Sequence, residues 1–390
     1  MATVPDSPGA PGGPRKTPAG PIEIRPDCWM VGRRNPVALL QCNTYLRRFE
    51  GGRSPVHVCV DPGSRIDFPV IERNICQLLG DLDGINAFSL NHQDPDVVGN
   101  ALALCEANPN ISAIMTEEVW RLAQHLDFRP RRLHFANATR SPLFTVADQH
   151  RWQLVPTPFC HFRGAMAFYD TELRTLFSGD LFGGLNQLNR VHVWAEESDW
   201  AGIAQFHQIY MPTREALRYA VRQIRALKPA VELIAPQHGF VVGSDLVPLF
   251  LGRMYDLLVG LDLLAVELDD TYLEGYRELL ARLLQRAGET MGREEVLSRM
   301  SVPDVPDGLE RLATVRGEDV VLNCEGYTAV TRVFARLGRG ETLEFVNALR
   351  SEVLAACSDL GLPIPPVGAG LDEELPGTGI GADGIDMQPR

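Results

Sequence analysis

The chain is 390 residues long and carries 37 Lys and Arg against 50 Asp and Glu, a formal charge of −13, with 45% of its residues hydrophobic. That length and apolar content provide for two or three domains with a large core and exclude a chain disordered throughout. The acidic balance, without any dense basic run, excludes a general nucleic-acid or anionic-membrane surface, because phosphate binding needs clustered Lys and Arg.

In chain order, residues 1–21 are rich in Pro, Gly and small residues and read as a flexible tail, with no apolar stretch long enough for a signal peptide. From 22 to 245 short apolar runs alternate with amphipathic stretches. IEIRPDCWMVG, ALLQCNTYLRRF, VHVCVDPGS, INAFSLNH, SAIMT, WQLVPTP, GAMAFYD, TLFSGD and VELIAPQH read as strands, each ended by Gly, Pro, Asp or Asn. Helical spacing appears in DFPVIERNICQLLGDL, DVVGNALALCEAN, EEVWRLAQHL and TREALRYAVRQIRALK. Interleaved strands and helices predict an α/β layered domain. From about Ser244 strand signals almost vanish, and 246–365 reads as a mostly helical domain of unknown role, followed by a second flexible tail over 366–390. Its apolar stripes, such as Leu257, Leu258, Leu261, Leu263 and Leu264, read as core or oligomer contacts. No run approaches the roughly 20 apolar residues of a membrane span, so no membrane association and a cytoplasmic location are expected.

The eight cysteines lie far apart without a CxxC pair, which argues against zinc ribbons, thioredoxin-like motifs and disulfide frameworks and for buried reduced thiols. Cys160 stands next to His161, but strand alternation would turn it to the opposite side, as a packed thiol.

The most informative segment is SLNHQDPDVVG, in which His92, Asp94 and Asp96 follow an apolar strand at alternate positions. Extended backbone projects such residues to one side, and Pro95 disfavours helix at Asp94. Alone, the triplet reads equally as turn formers at a strand end. Three more fragments place a metal-capable side chain at a strand end: TPFCHFRG with His161, LFSGDLFGG with Asp180 and LIAPQHGF with His238. Open α/β folds build their sites at strand ends, and so many coincidences are hard to assign to structure alone.

With these motifs the sequence resembles the metallo-β-lactamase fold, and most closely its di-iron branch, the flavodiiron proteins and stand-alone oxygen-binding di-iron proteins. The order and the intervals agree: His161 lies 65 residues after Asp96, Asp180 a further 19 on, and His238 a further 58. VCVDPGS around Asp61 is similar to the strand and turn that precede the metal loop. The resemblance covers 22–245 and implies an αββα sandwich followed by the helical region. It implies that His92, Asp94 and His161 hold one metal, Asp96 and His238 the second, and that Asp180 bridges them. Hydrolytic zinc members usually carry H-x-H-x-D-H, whereas Asp94 and Val97 stand here at the second and last His positions. The shift toward oxygen donors favours two iron ions, with zinc or manganese as alternatives. The segment FHQIYMPTREAL would lie over the pocket, where Tyr210 is either a hydrogen-bonding partner of the site or a packed tyrosine.

The functional expectation is a non-haem di-iron protein that binds dioxygen as a sensor or carrier, its helical region signalling to a partner or forming a homodimer. One alternative is an oxygen or nitric oxide reductase fed by a separate redox protein, since the C-terminal region shows no phosphate-cradling Gly-rich loop of a fused flavodoxin. The other is a metal-dependent hydrolase of an ester, lactone or phosphodiester.

Overall fold

The computed structural model describes residues 20–35, 38–51, 54–138, 141–186, 192–267, 272–301, 309–316 and 319–367. The tails expected over 1–21 and 366–390 therefore lie outside the described residues, apart from 20–21 and 366–367. The strands are β1 (Ile22–Arg25), β2 (Cys28–Met30), β3 (Tyr45–Phe49), β4 (Val56–Val60), β5 (Ala87–Ser89), β6 (Ser112–Met115), β7 (Arg132–Phe135), β8 (Leu143–Ala147), β9 (His150–Pro156), β10 (Met166–Asp170), β11 (Thr175–Gly179), β12 (Leu233–Pro236), β13 (Ala313–Arg316) and β14 (Asp319–Leu322). The helices are α1 (Phe68–Leu79), α2 (Pro95–Val98), α3 (Ala101–Ala107), α4 (Glu117–Ala123), α5 (Trp200–Tyr210), α6 (Arg214–Arg225), α7 (Val247–Asp256), α8 (Leu261–Glu267), α9 (Leu273–Met291), α10 (Arg293–Met300), α11 (Leu309–Leu312), α12 (Gly326–Gly338) and α13 (Leu343–Leu360).

The chain divides into two compact units, one of 1–203 with 215–257 and one of 204–214 with 258–390. In the first, β1 to β7 form a seven-stranded sheet in sequence order, antiparallel through β4 and parallel from β4 to β7. A second, five-stranded sheet has the order β12-β11-β10-β9-β8, with β12 parallel to β11 and the rest antiparallel.

Strand alternation sorts the side chains into layers. Tyr45 and Phe49 of β3, Val58 and Val60 of β4, Phe168 of β10 and Phe177 of β11 belong to one core between the sheets. Leu46, Cys59 and Phe88 point the other way, into a core shared with Ile71 and Ile75 of α1, Leu104 of α3 and Val119 of α4. α1 starts with Pro in its first turn, and α4 is capped by Thr116 Oγ1, which accepts the Val119 N–H. Fully burying each large apolar side chain of these layers stabilises the fold by about 1.5–3 kcal/mol.

In the second unit α9 packs against α10, α12 and α13. The Tyr276 hydroxyl of α9 donates to Pro363 O at 2.8 Å, and Arg282 bridges to Glu352 and Asp359. The unit is not wholly helical: β13 and β14 form an antiparallel hairpin where the sequence showed almost no strand signal. The alternation in ATVR and DVVL is only four residues long in each strand, too short to stand out between helical segments. The sequence reading divided the chain at 245; the compact sandwich unit continues through α7, where Phe250 packs on Trp200 and Tyr255 O accepts Arg218 Nε. Among the described residues no helix is long and apolar enough to cross a membrane.

Candidate metal centre

The site lies where strands of both sheets end. Beyond β4 the chain turns at Asp61, whose φ is +50°, and the buried carboxylate accepts the Asn91 N–H at 2.9 Å. Burial pushes Asp61 well above the usual carboxylate range; the Asn91 bond opposes this, and the Asp180 and Asp96 charges add to it. Asn91 ties the two sheets together, its side chain donating to Phe177 O at 3.1 Å and its carbonyl accepting Met166 N–H at 3.0 Å. His92 follows directly and is 1% exposed.

Asp94 is extended (φ −69°, ψ 151°) and precedes α2 without a side-chain bond to it, its carbonyl accepting the Val97 and Val98 N–H groups, with Pro95 and Asp96 in the first helical turn. The sequence reading had extended or turning backbone at Asp94 and helical spacing from Asp96, and both hold, although the placing of His92, Asp94 and Asp96 on one side of an extended run does not extend to Asp96. The proline starts the helix, because its fixed φ suits the first helical position, and the turn separates the two aspartates. Asp94 Oδ2 faces His161 Nε2 at 3.0 Å and His92 Nε2 at 3.8 Å. Asp96 Oδ2 faces His238 Nε2 at 3.3 Å and Cys42 Sγ at 3.5 Å. Val97 is fully buried in the core beneath the helices.

His161 comes from the loop after β9, behind a cis peptide bond between Cys160 and His161. The Asp94 hydrogen bond raises its pKa; burial opposes the rise, and the Asp180, Asp94 and Asp96 charges reinforce it. Burial works against ionisation of Asp94, but the His161 bond and the His92 and His161 charges outweigh it, and the carboxyl lies below its ordinary value. Cys160 is 2% exposed and its thiol is pushed up to about 12 by burial, in keeping with a packed thiol.

Asp180 follows β11 after Gly179, which sits at φ +61° with its Cα turned to Asn91; a Cβ there would lie 2.8 Å from Asn91 Cβ. The two carboxylate oxygens of Asp180 look in different directions. Oδ1 is 3.5 Å from both His92 Nε2 and His238 Nε2, and Oδ2 is 3.2 Å from His161 Nε2. His238 follows β12, and Gln237 N–H donates to Gly179 O at 2.8 Å, so the parallel pair β11–β12 delivers Asp180 and His238 side by side.

The six residues expected as ligands thus converge, and the ligand atoms fall into two groups. Those of His92, Asp94 and His161 lie within 4.8 Å of one another, and so do those of Cys42, Asp96 and His238. Asp180 stands between the groups. Tyr210 belongs to the second unit, at the end of α5, where it is 44% exposed and its ring lies 4.7 Å from that of Phe206.

Two neighbours went unnoticed in the sequence. Gln237 Nε2 lies 3.2 Å from Asp96 O and from Asp96 Oδ2. Cys42 pairs by a backbone bridge with His238; burial, with the Asp96 charge next, drives its thiol pKa up. Nothing in the local sequence around Cys42 marks it, since it sits within ALLQCNTYLRRF, far from every ligand motif.

The donor chemistry fits metal ions. His238 Nδ1 faces the Gln41 carbonyl at 2.9 Å and must donate to it, so a ring ligating through Nε2 presents its lone pair among the Asp96 and Asp180 oxygens. Asp180 Oδ1 is buried and makes no hydrogen bond. Lone pairs facing lone pairs in a buried space are repulsive unless cations lie among them.

A two-sheet sandwich with a shared aspartate between two carboxylate–histidine groups is the arrangement of a metallo-β-lactamase-type metal scaffold. Residues 40–239, half of the chain, match the model of the ODP family beta lactamases, and the chain belongs to that family. Solved structures agree on the fold. The chain is similar to the apo state of the chemotaxis sensor ODP from T. denticola, at 22% identity and a TM-score of 0.50 over 63% of this chain and 96% of that one. It is also similar to a diflavin flavoprotein A 5 fragment from Nostoc sp. PCC 7120, at 18% identity and a TM-score of 0.53 over 63% and 97% of the two chains. Rubredoxin oxygen:oxidoreductase from Desulfovibrio gigas matches at 15% identity and a TM-score of 0.53, over 60% of this chain and 61% of its own length. A search of the curated proteins finds no match.

Proposed function

We propose that the first unit binds two iron ions and, through them, dioxygen, and that the protein acts as an oxygen sensor or carrier. The observation that carries this reading is the place of Asp180 between the two groups, with Oδ1 3.5 Å from both His92 Nε2 and His238 Nε2 and Oδ2 3.2 Å from His161 Nε2, which would suit a carboxylate shared by two cations. In this reading His92, Asp94 and His161 hold one ion, Asp96 and His238 the second. The three aspartates favour iron or manganese over zinc, and the ODP family membership, with a chemotaxis sensor ODP among the similar structures, supports a sensor.

Two ferrous ions held by these residues would supply the electrons for binding dioxygen. The protein's own part is positional. The Gln41 carbonyl fixes the tautomer of His238, Gln237 holds Asp96, and Asp61 with Asn91 sets His92 at its strand end. The eight cysteines, all unpaired, support a reducing, cytoplasmic setting. Leu261 and Leu264 of α8, 64% and 56% exposed, support a signalling partner or a second copy of the chain docking on the helical unit.

Protein made in iron-replete cells is expected to contain about two irons per chain by mass spectrometry and, once reduced, to develop a long-lived visible absorption in air. Rapid donor-driven oxygen consumption would instead assign a reductase. Stoichiometric zinc without iron, together with ester or phosphodiester hydrolysis lost in Asp180→Ala, would replace the proposal with a hydrolase.

A further inference from the structure

We propose that Cys42 is a protein ligand of the second metal ion, supplying the donor that Val97 cannot; this rests on the di-metal reading above. With Asp96 and His238 alone, that ion has one protein ligand fewer than the His92, Asp94 and His161 group gives the first, before the shared Asp180 is counted.

Three observations carry the assignment. The first is distance. Around a tetrahedral ion with metal–sulfur bonds of about 2.3 Å and metal–nitrogen or metal–oxygen bonds of about 2.1 Å, donor atoms lie about 3.4–3.6 Å apart. Cys42 Sγ is 3.5 Å from Asp96 Oδ2, and His238 Nε2 is 3.3 Å from that same oxygen. Asp180 Oδ1, 3.5 Å from His238 Nε2, continues the set.

The second is construction. Cys42 and His238 are partners in one antiparallel bridge, Asn43 N–H donates to Gln237 O at 2.5 Å, and Gln41 O receives His238 Nδ1 at 2.9 Å. The segment that carries the thiol is therefore the one that orients the histidine. The third is the buried Asp180 oxygen without a hydrogen bond, which faces the same space.

Ligation exchanges the S–H bond for an S–metal bond and releases the proton to solvent. The anionic ligands then become Asp94, Asp96, Asp180 and Cys42, matching the +4 of two divalent ions. A sulfur donor also sets the two ions apart chemically: the first keeps only nitrogen and oxygen ligands, while the second gains a soft, electron-rich one.

The test is titration of the metal-free full chain with cobalt(II). Two equivalents are expected to bind, with a near-ultraviolet sulfur-to-cobalt charge-transfer band that appears with one of them. Cys42→Ser is expected to lose the band, keep the other cobalt, and bind its second cobalt at least about tenfold more weakly, the smallest loss usual even for outer partners of a ligand. Uptake of two cobalt ions without the band, or a band retained in Cys42→Ser, overturns the role of Cys42 and leaves the di-metal reading standing. No cobalt uptake overturns both. Should Cys42→Ser fail to fold, X-ray absorption of the wild-type cobalt protein decides, with a cobalt–sulfur shell near about 2.3 Å expected and its absence overturning the proposal.

Discussion

Between the two sheets of the sandwich sits an ion pair. Arg47 shares its strand face with Tyr45 and Phe49, so alternation points it into the inter-sheet core, where its Nε meets Asp170 Oδ2 at 2.8 Å. The side chains are 4% and 1% exposed. Asp170 also accepts the Glu172 and Leu173 N–H groups at 3.0 Å, holding the turn between β10 and β11, and the guanidinium lies 4.4 Å from the centre of the Phe49 ring. Removing Asp170 leaves the buried Arg47 with only the half-exposed Glu172 carboxylate at 3.4 Å and backbone carbonyls such as Asp27 O beside it, which costs up to about 3–5 kcal/mol. Asp170→Ala is therefore expected to lower the urea-unfolding free energy of the sandwich unit by about that amount, and Asp170→Asn, which keeps an acceptor for the turn, by less. Nothing in the sequence announced this pair: Arg47 and Arg48 follow one another in YLRRF, and Asp170 stands 123 residues away on β10. The six candidate ligands were legible for the opposite reason. Each stands at a strand end in a short, chemically distinctive string, so residue type and spacing carry the information without any knowledge of the packing.

At the level of elements, the strand runs that hold the two cores were readable because apolar alternation survives in isolation, as in VHVCV and TLFSG. What was not readable was the effect of one element on its neighbour. HQDPD was expected to be extended or turning, with helical spacing from Asp96; what the sequence did not show is that Pro95 opens α2 so that one helical turn sends the two aspartates to different partners. β7 and β8 escaped notice because RLHF and LFTVA alternate weakly and lie at sheet edges. Gly179 shows how an element end sets the chemistry. Its positive φ turns β11 so that Asp180 enters the centre, and the missing side chain lets Asn91 approach. Gly179→Ala meets both a strained backbone and a clash at 2.8 Å. The expected outcome is a loss of about 1–3 kcal/mol in stability and weaker metal uptake, measured by denaturant unfolding and by metal titration. Metal uptake equal to the wild type would mean that Asp180 is positioned by other means.

Across the whole molecule, every residue of the centre belongs to the first compact unit, and the second carries its own packed helices around α9. A ligand that binds only the folded first unit stabilises that unit by mass action, about 2.7 kcal/mol at a hundredfold excess over its dissociation constant. Calorimetry of the full chain is therefore expected to resolve two transitions, of which metal moves one upward and chelator lowers the same one. A single transition shifting as a whole would show instead that the units unfold together. The centre has a further consequence as a cross-link. Asp94 and His161 are 67 residues apart in the chain, Cys42 and Asp96 are 54 apart, and His238 lies 197 beyond the carbonyl that orients it. A bound ion at each group would tie these distant points together much as a disulfide does. The entropy of closing such loops grows only slowly with their length, so a few coordinate bonds would pin strand ends from both sheets at once. Metal loss would then loosen the rim of the sandwich before its core, turning a change of occupancy into a change of shape.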